Sequence, residues 1–215
     1  MINLLYKDFK LVLHPTNYIF LAFPAMLLIP NYPAYVAYFY LCLSVFFMFL
    51  QARENKDILY SSLLPIAKTD LVKGRMIFVM LFELISILIA IPFAIINLKL
   101  FSVSNPAGIE PNPAYFGFVF IMFAIFNWVF FTGFYKTAFK IGLPLVFAGA
   151  SILVFYAAVE MLVWIPGEVS TFLDSRNPST MLFQLPILLA GILIWIGAGY
   201  LTQRLAGKRF AKVDI

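Results

Sequence analysis

Two carboxylates, Glu83 and Glu160, stand inside otherwise apolar runs, where an ionised side chain is costly unless it faces protein or water. Each is therefore a candidate for holding a cationic substrate group or a proton, and Glu83 lies about two helical turns from Arg75 on the same run. Structural roles compete with this. Glu83 can hydrogen-bond between helices, and Glu160 precedes Pro166 and Gly167 closely enough to sit at an outer membrane surface. Asn127 and Gln184 occupy two further apolar runs. Both suit interhelical hydrogen bonds, and Asn127 is a third candidate for lining a substrate pathway.

Catalytic chemistry finds few other residues. His14 is the only histidine, so a histidine triad or a two-histidine zinc site is excluded, and no metal-ligand set is expected. No Gly-x-Ser-x-Gly elbow occurs, and every aspartate falls in a polar stretch, which removes the aspartate pair of an intramembrane protease. A phosphate-cradling loop is missing too, its nearest fragment being Gly207-Lys208 followed by Arg209. If ATP drives this protein, another chain hydrolyses it.

The elements that must position these residues are membrane spans. Of 215 residues, 63% are apolar and only 12% are charged, where soluble domains carry about 25%; the mean hydropathy is +0.96. At roughly 20 residues per span, the chain holds about six spans and no separate soluble domain. The net charge of +5 is spread between apolar runs without interleaved stacking aromatics, which argues against nucleic acid. Lone Cys42 cannot form an intramolecular disulfide.

In residues 1–14, Ile2, Leu5, Phe9, Val12 and Leu13 share a helical face opposite Asn3, Lys7 and Lys10, the pattern of an interfacial amphipathic helix. Apolar runs then occupy 18–29, 34–50, 76–97, 114–134, 141–165 and 181–201, the first borrowing residues from Val12 onward. The aromatics of 114–134 are expected to face lipid. Glycines at 142, 149, 191, 197 and 199 offer close backbone approach between helices. The polar stretches are 51–75, 98–113, 166–180 and the tail 202–215. With both termini cytoplasmic, Lys7, Lys10, Arg53, Lys56, Lys68, Lys73, Arg75, Lys136, Lys140, Arg204, Lys208, Arg209 and Lys212 all lie inside, leaving only Lys99 and Arg176 outside. That bias selects six spans with both ends cytoplasmic.

The stretch 51–75 mixes charge with spaced apolar residues. Ile58, Leu59, Ser62 and Leu63 share one face of a short helix ended by Pro65, and Thr69-Asp70 offers an N-cap and first-turn acid for the next span. Such a surface helix can rest on lipid or dock into a groove of a partner.

Ser62, Leu64, Pro65 and Ile66, followed by Asp70, Leu71, Val72 and Lys73, resemble the segment before the third span of bacterial ABC-2 type transporter permeases. Leu63 interrupts that family's Ser-Leu-Pro, and Ala67-Lys68 stand where Ser/Thr-Arg is common. The opening Leu4-Leu5-Tyr6-Lys7-Asp8-Phe9-Lys10 and the six-span layout are also similar. The resemblance implies an all-α transmembrane permease subunit in a bacterial cytoplasmic membrane. It would pair with a second permease, identical or related, and with separate ABC ATPase subunits that hold ATP and Mg. Asp57, Ile58, Leu59, Ser62, Leu63, Leu64 and Pro65 would form the coupling helix. Peptides, lipids, polysaccharides and toxic small compounds are substrates in the wider superfamily, and permeases this short look most similar to exporters of antimicrobial or amphipathic peptides. Two other readings remain open: a proton-coupled carrier using Glu83 and Glu160, and a noncatalytic membrane immunity protein.

Overall fold

The computed structural model describes residues 2–101 and 105–213; Met1, residues 102–104 of the first polar loop, and Asp214 and Ile215 of the tail lie outside the described residues, as does the side chain of Ile2. Every regular element among them is helical: α1 (Ile2–Leu11), α2 (Pro15–Ala22) running into a 3-10 helix (Phe23–Leu28), α3 (Val36–Glu54), α4 (Asp57–Ser62), α5 (Lys68–Leu100), α6 (Pro113–Phe134), α7 (Gly142–Trp164), α8 (Glu168–Leu173), α9 (Pro178–Phe183) and α10 (Leu185–Phe210). Among the described residues, five segments are long and apolar enough to cross a membrane, namely α3, α5, α6, α7 and Pro178–Phe210, and a sixth is reached only if Asn3–Leu11 and Pro15–Leu28, bent by 92°, count as one. The chain is a multi-pass membrane protein.

The first expected span departs from a regular helix, and its composition explains why. Residues 12–28 as continuous α-helix would reach only about 25 Å, short of the roughly 30 Å hydrocarbon core. The chain instead leaves α1 through an extended His14 (φ −89, ψ 151), whose side chain accepts from Thr16 N and caps α2. At Phe23 the amide bonds to Phe20 O, three residues back, and Pro24 has no N–H to offer, so the helix tightens into 3-10 geometry. Over six residues the 3-10 rise lengthens the segment by about 3 Å relative to α-helix. The ends agree with a crossing. Leu11 O accepts from Asn55 Nδ2 (2.7 Å) just past α3, while Leu27 O accepts from Asn97 Nδ2 (2.6 Å) near the far end of α5.

α6 sits at the centre of the bundle. Of its apolar window 72% is buried, against 17% for α7 and 17% for Pro178–Phe210. The expectation that its aromatics face lipid is therefore wrong for most of them. Phe49 of α3 meets Phe130, Phe131 and Phe134 edge-on at 5.0, 5.1 and 4.8 Å, the geometry ring quadrupoles favour, and the outward positions of α5, α7 and α10 are mostly Leu, Ile and Val. Trp128 remains outward, 39% exposed.

Close packing explains α6 against α10. A Cβ on Gly191 would run into the backbone oxygen of Gly117, and one on Gly117 would come within 2.7 Å of Ile187 O. Gly199 packs on Met80, whereas Gly142, Gly149 and Gly197 meet nothing within 4 Å, so three of the five expected glycines serve no such contact. The helical boundaries also exceed the apolar runs: α5 starts within the polar stretch at Lys68 and α10 continues through Phe210 into the basic tail.

Candidate functional site

At one end of the bundle three polar segments converge on Arg75. Its Nε and Nη2 donate to both oxygens of Asp8 on α1 (3.0 Å each), and Nη2 also donates to Asp57 Oδ2 at the start of α4 (2.7 Å). Lys7 Nζ completes the cluster by donating to Asp57 Oδ1 and Ser61 Oγ, both at 2.8 Å. Asp8, Asp57, Ser61 and Arg75 are all buried, and the guanidinium lies 5.5 Å from the Phe49 ring centroid. A planar fork can pair with both oxygens of one carboxylate while reaching a second, a two-point geometry that a single ammonium nitrogen does not offer. Burial by itself would raise the Asp57 carboxyl, but the charges of Arg75 and Lys7 and their hydrogen bonds outweigh it and hold the group below its ordinary range. α1, α4 and the start of α5 are thus tied together by ion pairs.

α4 presents the opposite of a soluble helix. Its inner side is polar, Asp57 and Ser61 one turn apart, and its outer side is apolar: Leu59, Tyr60 and Leu63 are exposed, Leu63 to 84%. Ser62 is exposed and turns its hydroxyl onto Leu59 O (2.7 Å). Ile58 and Leu64 are half-buried, and Pro65 is exposed in the link to α5. The helix is entered through Lys56 in left-handed conformation (φ 51), which folds α4 back sharply from α3. Thr69 is not the N-cap. Ala67 holds that position with extended backbone (ψ 137) and no side-chain bond, so α5 begins earlier, leaving Asp70 in its first turn as expected.

The interior candidates form a separate site. Glu83 on α5 accepts from Asn127 Nδ2 of α6 (2.9 and 3.1 Å) and from Trp195 Nε1 of α10 (2.8 Å). All three are buried, so the carboxyl joins three helices through two donors. Glu160 lies elsewhere, at the end of α7 far from the Arg75 cluster, where its Oε1 faces Ile109 N (3.5 Å) and crowds Gly108. No bond links it to Glu83 among the described residues.

Around Glu160 the polar stretches 98–113 and 166–180 are tied together. Arg176 donates to Glu110 Oε1 (3.1 Å) and to Phe101 O (2.6 Å) beyond the end of α5, Asp174 accepts from Glu110 N (2.9 Å), and Asn112 caps α6 while donating to Leu173 O (2.6 Å). Gln184, expected within a span, sits at the break before α10 and donates to Phe172 O (2.6 Å). Burial, with the nearby Glu110 adding to it, pushes the Asp174 carboxyl up to about 6 against the opposing pull of its bond from Glu110 N and of Arg176.

Sequence reasoning singled out Asp57 and passed over Lys7, Asp8 and Ser61 as cluster members, and Trp195 as a partner of Glu83. The signal for the first set was present: opposite charges on an amphipathic helix at the N-terminus and on either side of the short surface helix. No spacing rule points from Glu83 to Trp195, because that bond joins distant helices.

A family model described as ABC-2 family transporter protein matches residues 3–203. No curated protein and no solved structure matches the chain. With nearly its whole length covered, and with several apolar helices in the bundle, the chain belongs to the ABC-2 transporter family, a membrane permease component of ABC transporters.

Proposed function

We propose that this chain is the transmembrane subunit of an ATP-driven exporter and that α4 is its coupling helix, received by a separate ABC ATPase which binds ATP and Mg. The observation that carries the reading is the two-sided build of α4: an exposed apolar outer face of Leu59, Tyr60 and Leu63, and an inner face clamped by Asp57 to Arg75. A partner closing beneath α4 would push on α1 and α5 together. The basic end carrying Lys7, Lys56 and Lys73 would then be cytoplasmic, with α1, at 92° to the segment after it, lying in the membrane plane.

Two such subunits, identical or related, would enclose the pathway, and the weakly buried outer faces of α7 and α10 are available for that pairing. Amphipathic or antimicrobial peptides and related toxic compounds are the proposed cargo. The proton-carrier reading has less support, since Glu83 is occupied by Asn127 and Trp195 and unconnected to Glu160. The test is Leu59→Asp with Leu63→Asp, both exposed positions. Efflux is expected to fall at least tenfold with membrane insertion unchanged. Unaltered efflux would remove α4 from the mechanism.

A further inference from the structure

The turn between α6 and α7 holds two lysines that the coupling site does not use. Lys136 and Lys140 stand at the mouth of a groove of about 460 Å³ between the two helices. Both are exposed, and among the described residues neither ammonium has an ion-pair or hydrogen-bond partner. The turn is ordered by its own bonds: Thr137 Oγ1 accepts from Lys140 N (3.1 Å), and buried Ala138 holds a left-handed backbone (φ 62). It lies at the Arg75 end of the bundle, because Tyr135 packs on Phe210 at 5.2 Å and on Phe49 at 6.2 Å, the ring beneath Arg75.

Below the lysines, Thr132 apart, the groove is lined by apolar residues. Trp128 lies two turns back along α6 from Lys136, about 12 Å deeper into the span, and Leu143 and Phe147 of α7 line it with exposed side chains. A soluble acidic partner could meet the lysines but could not follow the floor into hydrocarbon. A molecule with an anionic head and an apolar tail fits both parts.

We infer that this groove binds an anionic glycerophospholipid, its phosphate between Lys136 and Lys140 and an acyl chain along Trp128 and Phe147. The full-length protein, reconstituted in nanodiscs of equal phosphatidylglycerol and phosphatidylcholine and then extracted, is assayed for retained lipid by native mass spectrometry. Wild type is expected to retain phosphatidylglycerol. Lys136→Gln with Lys140→Gln should lower that preference about 30-fold, at ~1 kcal/mol per charge near the surface, while Lys136→Arg with Lys140→Arg keeps it. Soluble glycerol phosphate should not displace the lipid. Retention unchanged in the glutamine variant, or loss of the lipid to glycerol phosphate, overturns the inference. So does a glutamine variant that keeps its lipid but no longer holds a soluble partner.

Discussion

Replacing Arg75 with glutamine should loosen α1 and α4 without dismantling the bundle. The substitution removes three charge-assisted bonds of 3.0, 3.0 and 2.7 Å and leaves two buried carboxylates facing Lys7 alone, at 2.8 Å from Asp57 and 3.4 Å from Asp8. Breaking a buried pair on one side costs about 3–5 kcal/mol. Because Lys7 remains, the lower end applies, ~3 kcal/mol, which is about 150-fold in a local opening equilibrium. Hydrogen exchange in nanodiscs, read by mass spectrometry over residues 57–64, should accelerate by that order while amides in the middle of α6 hold their protection. Arg75→Lys should recover only part, since one ammonium cannot bridge Asp8 and Asp57 in the same way. A cycle with Asp57→Asn should show coupling above ~1 kcal/mol. Additive effects, or unchanged exchange in α4, would refute the clamp.

Other perturbations test the remaining packing and polar contacts. Glu83→Gln keeps an acceptor for Trp195 and offers a donor to Asn127 Oδ1, which is buried without a partner among the described residues, so stability within ~1 kcal/mol of wild type and retained efflux are expected. Glu83→Ala strands two buried donors and should cost about 2–5 kcal/mol in thermal unfolding; abolished efflux in a folded Glu83→Gln variant would revive a proton-coupled reading. Gly191→Ala drives a Cβ into the Gly117 backbone, which has no side chain to swing aside, and should destabilise by about 1–3 kcal/mol, whereas Gly197→Ala, with nothing within 4 Å, should be neutral. The Asp174 carboxyl, raised to about 6 when folded from about 3.9 unfolded, favours the fold when protonated. Its contribution is complete below pH ~4 and is lost as pH rises through about 6, so Asp174→Asn should flatten the melting temperature across that interval. Asp57, held low, has the opposite sign, and its contribution is lost only as pH falls below the ordinary carboxylate range.

The membrane class and the bounds of the central apolar runs were legible because apolar length is a local property. The run expected at 141–165 is α7, Gly142–Trp164, and the run at 114–134 is α6, Pro113–Phe134. What failed depended on neighbours or on backbone detail. Pro24 and the extended His14 make the first expected span irregular, and a hydropathy window does not register either. α6 is aromatic and apolar all round, so composition could not tell whether its rings face lipid or the bundle centre. A short helix does form from Asp57 to Ser62, but its inner polar face was invisible, because Asp57 meets Arg75 and Lys7 only after three segments fold together. Glu83 and Asn127 were marked from their costly positions. Their mutual bond, which turns two candidate pathway residues into one helix-joining contact, needed the structure.

The most direct test of an ATP-driven permease is partnership with the ATPase itself. The full-length chain carrying a photoreactive residue at Leu63, the most exposed of the α4 apolar residues, is irradiated in native membranes and its adduct sequenced. Crosslinking to a protein that carries a phosphate-binding loop is expected, strengthened by trapping that protein with ATP and weakened by the Leu59→Asp substitution. An adduct with lipid alone, with efflux that persists when ATP is depleted under a maintained proton gradient, would contradict it.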